Sequence, residues 1–150
     1  HCQSSTCKET VMPKFGKRSR ERLKGVHPDL IKVLNDVIKY YDITILEGLR
    51  SQDRQIDLYN DKKSKLDGVY KKSKHQLGKA VDIAPWPIDF EDTKGFMYLG
   101  GLMVATAKKL GVKIRWGGDW NGDHKFSGRK NSKRTDKSQT FDDLVHFEVK

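Results

Sequence analysis

Apolar positions along the chain fall into short runs of two different periods. In HPDLIKVLNDVIKYYD, the residues Leu30, Leu34, Val37, Ile38 and Tyr41 recur at the spacing of one helical face, and Pro28 stands where a helix start accepts it. This predicts a core-facing amphipathic helix. DITILEGLR follows, with Ile43 and Ile45 in a β-favouring run that ends at Gly48 and delivers Arg50 to the strand's end. A second helix is expected from Gln52 to about Asp61. The stretch DKKSKLDGVYKKSK is polar, basic and broken by Gly68, as an exposed loop would be. AVDIA then reads as a buried strand closed by Pro85 and Pro87. TKGFMYLGGLMVATAKKLG spaces its apolar residues helically and has Gly111 just past the end, although Gly100 and Gly101 weaken its middle. KIRWGG reads as a further strand, a polar insertion runs from about Asp119 to Thr140, and LVHFEV closes the chain as an alternating strand.

Strands and helices mix here without a regular βαβ rhythm, and neither a phosphate-cradling glycine loop nor an internal repeat is present. The expected fold class is α+β, a small and mainly antiparallel sheet with flanking helices. A length of 150 residues suits one hydrophobic core. Residues 12–150 are therefore read as a single catalytic-sized domain, and residues 1–11 as a disordered or extraneous N-terminal segment. Cys2 and Cys7 both lie in that opening segment, which favours a processing remnant over a metal pair. No window approaches the run of about 18 apolar residues that a membrane-spanning helix needs, and no apolar signal-peptide core is seen.

Charge adds a constraint on partners without naming one. Thirty Lys plus Arg against twenty Asp plus Glu give a net charge of +10 and a pI near 9.6. Such a field concentrates the protein on anionic partners. Nucleic acid, an anionic membrane face, lipopolysaccharide and acidic wall polymers all satisfy it. The tracts KFGKRSRERLK and GRKNSKR keep a basic nucleic-acid-binding module open as a reading of a different class. Against it, the chain has no recognition helix, paired-cysteine zinc finger or stacking-aromatic motif.

Residue chemistry is more informative. Catalytic zinc takes about three nitrogen and oxygen donors from separate elements and keeps one position for water or substrate. In SKHQLGKAVD, His75 stands at a loop-to-strand entrance and Asp82 lies seven residues on, inside an apolar strand, with Gly78 allowing the turn between them. An isolated carboxylate between Val81 and Ile83 is costly to bury, and a metal ion is one partner that would neutralise it. The polar face of a half-buried strand is the other reading. His146 sits between Val145 and Phe147 in the last strand, where a lone histidine is more often a satisfied core or surface residue than a ligand. Asp143, three residues before it, stands where a general base could reach a metal-bound water. Arg50 could face substrate or pair with a surface carboxylate, and Ser73 could orient substrate or cap its turn. Trp116, with Trp120, could wall a cleft or belong to the core. Asp119, Asn121 and Asp123 alternate oxygen donors as a calcium loop opens, yet His124 stands where that loop needs glycine.

The pattern from Ser73 through His75 and Gly78 to Asp82, together with Asp143-Leu144-Val145-His146, resembles the S-x-H-x-x-G-x-A-x-D and [ED]-x-x-H motifs of the M15 metallopeptidases. Within them it is most similar to phage endolysins of the L-alanyl-D-glutamate peptidase type, over roughly Phe15 to Val149. The resemblance implies the D-alanyl-D-alanine-metallopeptidase-like (LAS) zinc peptidase fold. It implies Zn2+ on His75, Asp82 and His146, Asp143 as the catalytic carboxylate, and Arg50 facing substrate or developing negative charge. Ser73, Trp116 and Asp119 are carried as substrate-contact candidates, and Ca2+ on Asp119, Asn121 and Asp123 as a second metal. Two departures stand out: Asp143 replaces the glutamate of many carboxypeptidase-like members, and Leu144 stands where an H-x-H pair would begin. The implied substrate is peptidoglycan, cut between L-alanine and D-glutamate of the stem peptide. A D-alanyl-D-alanine carboxypeptidase or dipeptidase with the same zinc site is the alternative. A monomer is expected, held in the host cytoplasm until lysis and then acting at the periplasm and cell wall. Its basic loops at 62–74 and 125–137 would hold it to the anionic envelope.

Overall fold

A computed structural model describes residues 13–126 and 143–150 of the chain. The expectations on residues 1–11, on GRKNSKR and on the greater part of the 119–140 insertion and the 125–137 loop lie outside the described residues.

The described elements are helices α1 (Lys17–Arg22), α2 (Pro28–Val37), α3 (Gln52–Asn60) and α4 (Thr93–Lys109), and strands β1 (Ile43–Glu47), β2 (Ala80–Pro85), β3 (Ile114–Trp116) and β4 (His146–Val149). The strands form one antiparallel sheet in the order β1-β2-β4-β3. This is the expected α+β architecture. Helix α1 was not foreseen, because KRSRER carries no apolar face and only Ser19 of it is buried. The first basic tract is thus folded against the sheet: Ser19 Oγ accepts the Ile45 amide at 3.1 Å, and Arg22 donates to the Ile45 carbonyl at 2.9 Å.

Helix α2 starts at Pro28 with His27 as its cap, whose ring accepts the Asp29 amide. Its face of Leu30, Val33, Leu34 and Val37 packs with Leu99, Met103 and Ala107 of α4 onto one side of the sheet. Ile45, Val81, Ile83 and Phe147 meet them there, and none of these four has exposed surface. Burying one such side chain contributes roughly 1.5–3 kcal/mol, so this layer dominates the fold's stability. Trp116 completes it, stacked on Phe147 with ring centroids 6.1 Å apart and donating its indole N–H to the Leu144 carbonyl.

Alternation along each strand sends the intervening residues to the opposite face. Asp82 lies there directly across from His146, and Arg115 across from Glu148. On β1 strict alternation would send Glu47 to the core side with Ile43 and Ile45. A bulge between Ile45 and Glu47 adds one residue and brings Glu47 opposite Asp82 instead. The sheet's second face therefore carries a row of ionisable groups contributed by all four strands.

Candidate metal centre and substrate cleft

That row floors a cleft of about 460 Å³, lined among others by Glu47, Arg50, His75, Asp82, Trp120, Asp143, His146 and Glu148. His75 enters it from the turn that precedes β2. Gly78 closes that turn at a φ of +69°, a conformation that side-chain-bearing residues rarely adopt. The expectation of a glycine turn between His75 and Asp82 is met.

His75 Nε2 and His146 Nδ1 both lie 3.2 Å from the same oxygen, Asp82 Oδ1. The far side of each ring is already engaged. His75 Nδ1 is 2.9 Å from the Gly48 carbonyl, which can only accept, so the ring carries its proton there. His146 Nε2 lies 2.9 Å from Glu148 Oε1 and donates to it by the same reasoning. What remains is two imidazole lone pairs and a carboxylate oxygen turned toward one point, an arrangement that repels itself unless a cation or a proton sits between. The three donor atoms lie within 4.8 Å of one another. Two imidazoles and one carboxylate, each imidazole fixed by an acceptor behind it, are the donor set and the backing of a zinc site.

The electrostatics carry the same signature. Burial works to raise the Asp82 carboxyl, but hydrogen bonds from His146 and His75 outweigh it and hold the group well below the usual carboxylate range. Burial works to lower His146, and the bonds to Asp82 and Glu148 overcome it, raising the ring to about 9.

Asp143 reaches the cleft just before β4. Its amide donates to the Gly117 carbonyl, and a Cβ on Gly117 would overlap the Asp143 carbonyl oxygen, so the two backbones meet where only glycine fits. Burial, then the negative charge of Asp82, push the Asp143 carboxyl above its ordinary range. Among the described residues that carboxylate has no hydrogen-bond partner. Arg50 lies on the rim with its guanidinium forked onto Glu47 at 2.6 and 2.9 Å and a third N–H on Gln55 at 2.8 Å. Three of its five N–H groups are spoken for, which leaves two.

The remaining candidates separate. Ser73 lines the cleft, but its hydroxyl accepts the Gln76 amide at 3.2 Å while Gln76 Oε1 accepts the Ser73 amide, a reciprocal cap on the His75 turn. Trp116, expected as a substrate contact, is core instead, because its ring fills the space over Gly100 and Gly118. The cleft's indole is Trp120, 5.5 Å from the His146 ring and beneath Arg115. Asp119 is buried behind the wall rather than in the cleft, its Oδ2 accepting the His124 amide. The calcium expectation finds no support. Asn121 and Asp123 are exposed and hydrogen-bonded to each other, and the one group of three or more His, Cys, Asp or Glu among the described residues that could hold a metal is His75, Asp82 and His146.

Glu148, Glu47 and Gln55 were not singled out from sequence. For Glu148 a signal existed, since the alternation that places His146 on the polar face places its second neighbour there too. Glu47 needed the bulge, and Gln55 needed the tertiary fold.

Comparison with known proteins gives the family. The model of the phage L-alanyl-D-glutamate peptidase family matches residues 11–149. The L-alanyl-D-glutamate peptidase of Escherichia phage T5 is 36% identical over 113 residues, covering 72% of this chain and 82% of that protein. Among solved structures, the Serratia marcescens L-Ala D-Glu endopeptidase ChiX superposes with a TM-score of 0.67 at 27% identity, over 89% of this chain and 87% of its own. The D,D-pentapeptidase VanY, solved as an E175A mutant with Zn(II), shares the fold at a TM-score of 0.50 and 16% identity, over 83% of this chain and 72% of its own. By the extent of these matches, the chain belongs to the phage L-alanyl-D-glutamate peptidase family.

Proposed function

We propose that the chain is a zinc peptidase that hydrolyses the bond between L-alanine and D-glutamate in the stem peptide of peptidoglycan. The observation that carries the metal is the convergence of His75 Nε2 and His146 Nδ1 on Asp82 Oδ1 with both rings already committed on their far sides. His75, Asp82 and His146 would hold the ion, and zinc bound there supplies an acidified water near neutral pH and a Lewis acid for the scissile carbonyl.

The chain's own groups account for the proton and the charge. Asp143, half-buried and without a hydrogen-bond partner among the described residues, takes the proton of the attacking water and passes it to the amine of the departing D-glutamate. Its raised pKa fits a carboxylate that must hold that proton between the two steps. The two uncommitted N–H groups of Arg50 stabilise the carbonyl oxygen as it becomes anionic, while the fork to Glu47 keeps the guanidinium from swinging away. Glu148 and the Gly48 carbonyl fix the tautomers of the two ligand rings.

Peptidoglycan is the partner this activity requires. Among the described residues no helix is long and apolar enough to cross a membrane. The enzyme would be made in the host cytoplasm and meet its substrate at the wall once the inner membrane is opened. Metal analysis with activity on purified sacculi, for wild type and His75→Ala, tests the proposal. Stoichiometric zinc and lysis, both lost in the variant, are expected, with mass spectrometry showing fragments that begin at D-glutamate. Fragments ending elsewhere on the stem would overturn the bond assignment, and full activity in metal-free protein would overturn the zinc.

A further inference from the structure

The segment between α3 and His75 looks in sequence like a solvated lysine-rich loop, but it is tied down by a set of hydrogen bonds. Asp67 Oδ1 accepts the amides of Val69, Tyr70 and Lys71, each at 2.9 Å. Gln76 Nε2 donates to the Gly68 carbonyl. At the centre is Gln55, a polar residue with no exposed surface. Its Nε2 donates to Ser64 Oγ at 2.9 Å and to the Leu66 carbonyl at 2.7 Å, and its Oε1 accepts from Arg50 at 2.8 Å.

One buried amide thus ties the rim arginine to the loop, and the loop presents Lys63 and Lys65 to the cleft that holds His75, Asp82 and His146. Of the four carboxylates lining the cleft, Asp143 is the proposed general base and the other three are taken. Glu47 is forked by Arg50, Glu148 is held by Arg115 and His146, and Asp82 faces the two imidazoles. No ion pair among the described residues engages Lys63 or Lys65. Two lysines that line the cleft on a hydrogen-bonded loop, without an ion-pair partner among the described residues, make a receptor for a carboxylate.

A glutamate joined into a chain through one carboxyl keeps its other carboxyl free. An L-alanyl-D-glutamate substrate therefore carries a negative charge within a few bonds of the amide to be cut. Resting on the proposed function, we infer that Lys63 and Lys65 form the subsite for this free carboxylate, and that Gln55 is the positioning residue that sets their distance from Arg50. The preference for glutamate after alanine then comes from the loop rather than from the metal. Amidation of that carboxylate removes the charge the loop recognises.

Two synthetic peptides test this, each containing L-Ala-D-Glu, one with the glutamate carboxylate free and one with it amidated. Wild type should favour the free acid. In Lys63→Gln/Lys65→Gln the ratio of kcat/KM for acid over amide should fall about tenfold, mostly through KM on the acid, the scale of one lost charge-assisted hydrogen bond. Lys63→Arg/Lys65→Arg should restore the ratio. In Gln55→Met the KM on the acid should rise with zinc content intact. A loop with a merely structural role would lower both rates in proportion and keep the ratio, which would overturn the subsite, as would a ratio of one in wild type. A wild-type protein that leaves the Ala–Glu bond of both peptides uncut overturns the proposed function and this subsite with it.

Discussion

Asp82 and His146 stand directly opposite each other on β2 and β4, with Asp82 Oδ1 3.2 Å from His146 Nδ1. Their separation is set by backbone pairing in the middle of the sheet. Two of the three proposed metal donors are therefore placed by the central strands of the sheet, and only His75 depends on a turn. A site built on strands holds its geometry more closely than one built on loops.

The carboxylate behind His146 follows from the same strand. Glu148→Gln keeps the shape but removes the charge that fixes the ring's proton on Nε2. Metal affinity should fall roughly ten- to hundredfold, the usual cost of losing such a partner. Competition with a chelator of known affinity measures it. At saturating zinc the variant should recover most of its activity, since the role proposed for Glu148 is exercised through the His146 ring. Unchanged affinity would show that His146 is oriented by something else.

Asp143→Asn should give the opposite pattern. Zinc content and melting temperature should stay near wild type, while turnover on sacculi drops by about 100- to 10,000-fold, the contribution of a positioned general acid–base. Metal analysis alongside a turbidity assay separates the two effects. A variant that retains wild-type turnover would remove Asp143 from the mechanism.

The proposed ligands stand out in the sequence because their chemistry conflicts with their surroundings: an aspartate between Val81 and Ile83, and a histidine between Val145 and Phe147, invite a reason for being there. The core was legible from periodicity in α2 and α4. What sequence hid was whatever depended on one face meeting another. For Trp116 cleft wall and core both stood open, and what decides for the core is that Gly100 of α4 makes room for its ring. Gln55 sits in QDRQIDLYN, whose polar composition reads as surface, and it becomes buried only when the loop after α3 folds back over it. The single extra residue at the β1 bulge moved Glu47 to the face of the site, and no local pattern marks it.

Metal binding should depend on pH through His146. In the metal-free fold this ring's pKa is raised from 6.5 to about 9. Its contribution to stability is fully present below 6.5 and is lost as pH rises through 9. Asp82 acts in the reverse sense, stabilising above 3.8 and losing that effect further into acid. Zinc must displace the His146 proton, so apparent affinity should rise with pH up to about 9. Zinc titration calorimetry in buffers of different ionisation enthalpy should show proton release that diminishes toward that pH. A flat affinity between pH 6 and about 9 would contradict the assignment.

Two neighbouring glycines in α4 should respond differently to the same change. A Cβ at Gly101 meets nothing within 4 Å, whereas one at Gly100 would run into the Trp116 ring. Gly101→Ala should stabilise the protein by about 0.5–1 kcal/mol through helix propensity alone. Gly100→Ala should destabilise it by roughly 1–3 kcal/mol, the cost of overpacking. Chemical denaturation of the zinc-loaded protein compares them directly.

Gly117 tests the link between backbone packing and chemistry. A Cβ there would overlap the Asp143 carbonyl oxygen, and the Asp143 amide is bonded to the Gly117 carbonyl, so the two segments must part to admit a methyl group. His146 touches both segments, its carbonyl accepting the Gly117 amide and its amide donating to the Asp143 carbonyl, while its pairing with Asp82 across β2 and β4 anchors it in the sheet. Gly117→Ala should therefore displace Asp143 more than the proposed metal donors. A shift of about 1 Å in a catalytic group can cost on the order of 100-fold in rate. Turnover should fall by that order with zinc stoichiometry intact, and loss of zinc in parallel with activity would show instead that the 117–143 contact supports the metal site itself.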